Sequence, residues 1–365
     1  MTADTKAALA TNSGRLVGLD LARALAMLGM LTVNFKLVMG VESIGSSWLV
    51  TLLGYVDGKA AGLFVVIAGV GLSLSRSRLD QRRIWLARAL VLFVFGLAFA
   101  LLWPADILHF YALYIVVGLA FVDRTDRTLL VAFAGFVLAF VVLLAFVDYD
   151  AHWDWETLEY RGMWTSDGMV RHLLFNGFHP VFPWASFFLF GMWLGRRNLR
   201  SAATRNWLLG TSIPLLLVTE LLSNTLGGFE GSLFGTAMMP PMPLYIVASV
   251  CASIIIIVVA VFAADRLSRS RLADAVQISG RYSLTIYLAH VVVGLPALWI
   301  TGLIPDAGDR PVATIATASA AAALFWMAAV YFSSAWHRRV GIGPAEWLFR
   351  TAARSLASAN QNKES

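Results

Sequence analysis

Asp106 and His109 lie three residues apart in "WPADILHFYALYIVVG" (103–118), where the chain is otherwise almost purely apolar. At i and i+3 they share one face of a helix. A carboxylate beside an imidazole fixes its tautomer and raises its basicity, which is what a general base needs. The alternative is an N-cap aspartate after Pro104, with His109 hydrogen-bonded to a neighbouring helix.

Three further sets of polar residues interrupt apolar runs. In "GLDLARALAMLGMLTVNF", Asp20 and Arg23 are spaced to neutralise one another, and Asn34 falls about 40° from Asp20 on the helical wheel. The rise of the helix carries Asn34 about 21 Å further along. This stripe reads either as a site or as a structural ion pair at the inner boundary. In "GYVDGKAAG", Asp57 and Lys59 flank Gly58. They read as ligand contacts, or as a helix N-cap and a lysine snorkelling to the headgroups. In "GRYSLTIYLAHVVVG", Ser283, Tyr287, His290 and Gly294 follow 4-3-4 spacing and form one polar stripe. His179 precedes Pro180 in "NGFHPVFPWASFF", where the chain re-enters an apolar run. His290 and His179 read equally as packing and solvated histidines. Tyr111 and Trp184, in the same stretches, join Asp20, Arg23, Asp57, Lys59 and Tyr287 as candidate substrate contacts.

Metal chemistry is not expected. No two histidines stand at i,i+4, and Cys251 is the single cysteine, so neither a zinc motif nor an intramolecular disulfide can form. No strands are expected either, and so no nucleotide-binding strand–turn–helix.

The elements that must position these groups are membrane helices. Of 365 residues, 59% are hydrophobic and 14% charged, against roughly 25% charged in a soluble domain. Mean hydropathy is +0.72. Runs long enough to cross the ~30 Å hydrocarbon layer recur. An all-α polytopic domain spanning 16–336 is expected, with ten helices at 16–40, 47–74, 84–103, 106–122, 128–147, 181–195, 207–225, 242–264, 282–302 and 312–336. Tails at 1–15 and 337–365 flank it, the last residues frayed. With both termini inside, 22 of the 28 Lys and Arg lie on the inner side and 13 of the 22 acids on the outer side. The net charge of +6 therefore reads as topology rather than nucleic-acid binding. The tryptophan-rich segment 148–180 lies outside as a loop, suited to covering a site. The small-residue face "AGVGLSLS" suits helix packing within a protomer or in a homodimer.

Taken together, "RLVGLDLARALAMLGMLTVNF", "DGKAAGLFVVIAGVGLSL", "WPADILHFYAL", "PWASFFLFGMWLGR", "PMPLYIV", "GRYSLTIYLAH" and "GPAEWLFR" resemble, in order, the YeiB-like family of bacterial membrane proteins. That family sits in the transmembrane acyltransferase superfamily with heparan-α-glucosaminide N-acetyltransferase and the membrane sugar O-acyltransferases. Two departures stand out. Ala24 replaces the usual glycine after the arginine. Residues 35–48 also lack the catalytic histidine that the lysosomal N-acetyltransferase carries shortly after its asparagine, which leaves His109, His179 and His290 as candidates.

The resemblance implies transfer of an acyl group from cytoplasmic acyl-CoA, acetyl-CoA in particular, to a hydroxyl or amine of an extracytoplasmic sugar-like or envelope acceptor. It implies a multi-pass protein of the bacterial cytoplasmic membrane. In this reading Asn34 stabilises the developing oxyanion. A histidine oriented by Asp106, most simply His109, takes the acceptor's proton, and Trp153, Trp155 and Trp164 stack on the acceptor. The rival reading is a proton-coupled transporter or channel lined by Asp20, Arg23, Asp106, His109 and His290, although no inverted halves with interrupted helices are apparent.

Overall fold

The computed structural model describes residues 17–41, 44–75, 80–228, 233–267, 270–305 and 310–361. The expected tail at 1–15 lies outside them. The chain is helical nearly throughout, and its first helix, α1 (Val17–Met39), is the hub of the bundle. Next come α2 (Ser47–Val56), α3 (Lys59–Leu74), α4 (Asp80–Phe99), α5 (Leu108–Phe121) and α6 (Asp126–Phe146). The segment after α6 holds α7 (Ser166–Arg171) and a π turn at His172–Asn176, then leads into α8 (Val181–Leu194). There follow α9 (Ala202–Leu226), α10 (Pro243–Arg266), α11 (Arg271–Arg281), α12 (Ser283–Ala289), a π turn at His290–Gly294, α13 (Leu295–Ile300), α14 (Ile315–Val340) and α15 (Pro344–Gln361).

Each of the ten expected helices has a helical counterpart. By length and apolarity, seven among the described residues can cross a membrane, or eight if the pair bent by 44° across 166–194 counts as one. The stretches at α4 and α5 do not qualify: α4 opens on charged residues, and α5 has 14 residues. Several apolar spans of this kind make this a multi-pass membrane protein.

The expected span 47–74 is present as one apolar stretch, Ser47–Leu74, interrupted only at Asp57 and Gly58, where Gly58 adopts a left-handed φ of 72°. The loop 148–180 contains a two-residue antiparallel ladder, Trp153 with Tyr160 and Asp154 with Glu159, so strands are not wholly absent. Between α10 and α12, α11 begins at Arg271 under a Ser270 cap. The helix α15 continues to Gln361 and so takes in 357–361 of the stretch 357–365 expected to be frayed; further back it buries Phe349 and Ala353, and Phe349 meets Phe95 of α4 edge-on at 4.9 Å.

Two apolar cores share α1. One gathers α3, α8 and α10, the other α12 and α14. The first is tight because small residues let backbones touch. A Cβ at Gly69 would run into the carbonyl of Phe188, and one at Gly191 into that of Val66. The "AGVGLSLS" face is thus used inside the protomer, with Val70 and Leu72 buried beside Gly69.

Candidate active site

Pro104 ends the preceding turn, and Asp106 then does two jobs at the start of α5. Its Oδ2 accepts the backbone N–H of Leu108 at 2.9 Å and lies 3.0 Å from His109 Nδ1. Its Oδ1 accepts the Tyr287 hydroxyl at 2.8 Å, and that hydroxyl oxygen accepts the N–H of Ile107 at 3.3 Å. Asp106 thus accepts first-turn N–H groups from just before the N-cap position, which Ile107 occupies, and also contacts the His109 ring. Asp106 and His109 are 0% exposed, so a carboxylate there has to be compensated by donors in this way. Gly96 of α4 makes room: a Cβ there would strike the His109 backbone and come 3.0 Å from Asp106 Oδ2.

With Nδ1–H given to Asp106, His109 Nε2 carries the lone pair. It faces His172 Nε2 at 3.4 Å, and the His172 Nδ1 is buried without a partner. His109 thus points toward the segment 148–180 through His172.

The second half of the site joins α1 to α12. Asn34 Nδ2 lies 3.0 Å from His290 Nε2, and His290 Nδ1 meets the carbonyl oxygen of Tyr287. A carbonyl only accepts, so Nδ1 bears the proton and Nε2 takes a hydrogen bond from the Asn34 amide. His290 opens a π turn, a feature frequent at functional sites. Tyr287 links the halves, its hydroxyl on Asp106 and its carbonyl on His290. The polar chain runs Asn34, His290, Tyr287, Asp106, His109, His172.

A cavity of about 300 Å³ runs beside this chain. Asn34, Tyr111, His179 and Tyr287 supply much of its polar lining, among Met27, Met30, Phe64 and Leu92. It reaches from Ser283 and Leu284, at the start of α12, to Gly58 and Met238 near the opposite ends of α3 and α10. His109, Asp106 and His290 sit behind its wall. His179 lines it, with a buried Nδ1 that has no partner, its carbonyl accepting from Tyr114 and its ring 4.6 Å from that of Trp184. Trp184 itself does not line the cavity.

The remaining candidates are structural in their contacts. Arg23 and Asp20 pair at 2.8 Å and are not among the residues lining the cavity. Asp57 does not cap α3: the buried Lys36 reaches both its oxygens at 2.7 Å. Lys59 does not snorkel but is buried against Glu220 at 3.1 Å. These two ion pairs clamp the Gly58 break to α1 and α9. Trp153 and Trp155 stack on each other at 4.8 Å, and Trp153 also packs edge-on against Tyr160 and Phe178. Trp164, at 59% exposed, is the open ring of the three. In this loop burial pushes the Tyr160 phenol up to about 12, and it donates to Asn176 Oδ1 at 2.9 Å.

Sequence reading missed His172, Lys36, Glu220 and Glu346. Lys36 and Glu220 carried a signal, since a charge inside an apolar run calls for a partner. Glu346, on α15, accepts the backbone N–H groups of Leu284 and Thr285 at 2.8 and 3.1 Å and so holds the start of α12. No group of three or more His, Cys, Asp or Glu that could hold a metal ion stands among the described residues.

Comparison with known families divides the site. The model described as heparan-alpha-glucosaminide N-acetyltransferase, catalytic, matches residues 15–224, which hold Asn34, Asp106, His109, His172 and His179. A second, described as a protein of unknown function (DUF418), matches residues 192–355, which hold Tyr287, His290 and Glu346. No curated protein matches the chain.

Proposed function

The chain belongs to the heparan-alpha-glucosaminide N-acetyltransferase catalytic family, and from that premise we propose an acyl transfer across the membrane. The family suggests a membrane transferase of the acetyltransferase type. Acyl-CoA, acetyl-CoA in particular, is the cytoplasmic donor, and the acceptor is a hydroxyl or amine of an extracytoplasmic sugar-like or envelope molecule. Ten membrane-embedded helices with both termini inside, in a bacterial cytoplasmic membrane, give the site its two sides. The charge asymmetry of the loops supports that orientation.

The observation that carries the reading is the Asn34–His290 contact at the wall of a cavity that extends along much of α1. The donor's pantetheine arm lies along the apolar lining. Before the donor binds, an Asn34 N–H holds His290 Nε2, and the same amide is placed to meet the thioester oxygen as it gains charge. When the thioester binds, Asn34 shifts its bond to that oxygen and releases Nε2. The acceptor oxygen or nitrogen attacks the thioester carbon and gives its proton to Nε2. The imidazolium keeps its Nδ1–H on the Tyr287 carbonyl. Collapse of the tetrahedral adduct breaks the carbon–sulfur bond, and the leaving thiolate takes the proton back from Nε2. Asp106 fixes Tyr287 and lends negative charge beside the imidazolium, and His179 meets the acceptor.

Acyl-CoA consumption by the purified protein in detergent tests this. Turnover that rises with a sugar or amine acceptor supports the reading. Proton-coupled transport, by contrast, gives a signal only in sealed vesicles and leaves acyl-CoA intact.

A further inference from the structure

Among the described residues, no charged side chain lines the cavity beside the polar chain. The polar side chains that line it are Asn34, Tyr111, His179, Ser283 and Tyr287. The Tyr287 hydroxyl is bonded to Asp106 and to the N–H of Ile107, and Asn34 serves His290 and then the thioester. Ser283 lies at the start of α12, beside the donor's arm. That leaves Tyr111 and His179 for the acceptor, among Val33, Leu37, Phe178 and Met238. A sugar ring carries a hydroxyl on most of its carbons, and each one buried without a partner weakens binding by roughly tenfold. This wall suits an envelope molecule with one polar group at the end of an apolar body.

The charges nearest the Gly58 end are taken up in pairs. Lys36, two residues past Asn34, holds both oxygens of Asp57 at 2.7 Å, and Lys59 holds Glu220 at 3.1 Å. Between them Gly58 presents bare backbone to the cavity. A Cβ there would lie 2.7 Å from the Met238 Cβ and 2.9 Å from the Tyr245 hydroxyl, which donates to the Gly58 carbonyl at 3.0 Å. The facing group, Met238, is a flexible side chain that adapts its shape to what passes it. The border of this end is apolar. The helix α2, joined to Gly58 through Asp57, has no buried residue, and its Trp48, Leu52 and Tyr55 are exposed. It belongs to the candidate membrane span Ser47–Leu74, so lipid hydrocarbon covers that face. Leu233 and Phe234, exposed on the segment that carries Met238, extend the apolar border.

We propose that the acceptor is a membrane-resident amphiphile with a single hydroxyl or amine at the end of a hydrocarbon chain. It enters between Gly58 and Met238, and its chain stays along α2 in the lipid. The proposal rests on the reading of the cavity as the acyl-transfer site. The reacting group meets His179 and the thioester held at Asn34. A carbon–oxygen or carbon–nitrogen bond forms, the carbon–sulfur bond breaks, and the proton passes through His290 to the leaving thiolate. The products are an acylated lipid and a free thiol, and no further reactant is needed.

Photo-labelling of the full chain in phosphatidylcholine nanodiscs, with decanol bearing a diazirine in its chain, tests the occupant without turnover. In wild type the labelling is expected to saturate and to map to peptides holding Leu37 or Met238. Unlabelled decanol competes for it. Decyl glucoside has the same chain but a sugar head, and competes about tenfold more weakly or worse, since its hydroxyls find no partners. Met238→Trp fills the mouth and is expected to cut the labelling by about tenfold, a loss that Met238→Leu does not share. If the tryptophan variant does not fold, the wild-type competition decides. Labelling that does not saturate at these positions, equal competition by decyl glucoside, or undiminished labelling of folded Met238→Trp overturns the proposal. Acyl-CoA consumption separates this result from the acyl-transfer reading. Saturable labelling that resists decyl glucoside, in a protein that consumes no acyl-CoA with any acceptor, keeps the amphiphile and removes acyl transfer. Consumption driven by glucosamine and not by decanol keeps acyl transfer and removes the amphiphile.

Discussion

Asn34 and His290 are 256 positions apart in the chain and 3.0 Å apart in space. One comes from α1, the other from the π turn after α12, and each lies in a different one of the two matched regions. The site therefore exists only when the two regions are docked, and what holds α12 against α1 and α5 matters as much as the reacting groups.

Tyr287 is the joint of that docking. Tyr287→Phe keeps the ring and removes the hydroxyl, leaving Asp106 Oδ1 and the Ile107 N–H without that partner. Each buried polar group left unmet costs ~1–3 kcal/mol. A lower melting temperature in detergent and a fall in kcat with little change in KM are expected. An unchanged melt and rate would remove Tyr287 from the network.

Gly96 is a packing requirement of the site. A side chain there drives α4 off the start of α5 at His109, and overpacking of this kind costs ~1–3 kcal/mol. Gly96→Ala is expected to give lower yield of monodisperse protein and lost turnover, read by size-exclusion chromatography and acyl-CoA consumption. Wild-type behaviour would mean that α4 and α5 are not so closely apposed.

Glu346 anchors the start of α12 from α15. Glu346→Ala frees the N–H groups of Leu284 and Thr285, a loss comparable to removing a helix cap, ~0.5–2 kcal/mol. Truncation before Pro344 should destabilise the protein at least as much. A thermal melt of each variant checks this, and equal stability of both with wild type contradicts it.

The hairpin that pairs Trp153 with Tyr160 should resist acid. The backbone N–H of Thr157, then the Arg161 charge and the N–H of Glu156, hold the Asp154 carboxyl below its usual range. A depressed folded pKa contributes stability above the unfolded value of ~3.9 and loses it as pH falls through the folded one. Near-UV circular dichroism of the tryptophans should therefore persist to below about pH 4 in wild type. In Asp154→Asn the hairpin's contribution is already missing at neutral pH, and the acid transition shrinks. Identical pH profiles would show that Asp154 does not hold the hairpin.

What the sequence made legible was local. The ten apolar runs, the Asp20–Arg23 pair and the Asp106–His109 pair all follow from helical spacing, and all are present as helices or contacts. The partners that complete the site were not legible, because Tyr287 reaches Asp106 across 181 positions and His172 reaches His109 across 63. Nor is a π turn visible in "HVVVG", where one extra residue is absorbed without any change in apolar character. The helix α15 was readable in principle: its buried Ala345, Phe349 and Ala353 repeat every fourth residue between exposed charges. Its role was not, since Glu346 acts on residues more than sixty positions earlier.

The most direct test of the account is acyl-CoA consumption by purified His290→Gln, compared with wild type at equal folded concentration. Glutamine keeps a polar group beside Asn34 but cannot take a proton, so turnover is expected to fall by about 10²–10⁴-fold, the usual share of a general base, while the melting temperature in detergent stays close to the wild-type value. A variant that consumes acyl-CoA at the wild-type rate contradicts the account, because the proton would then be leaving by a route that does not pass through the Asn34–His290 pair.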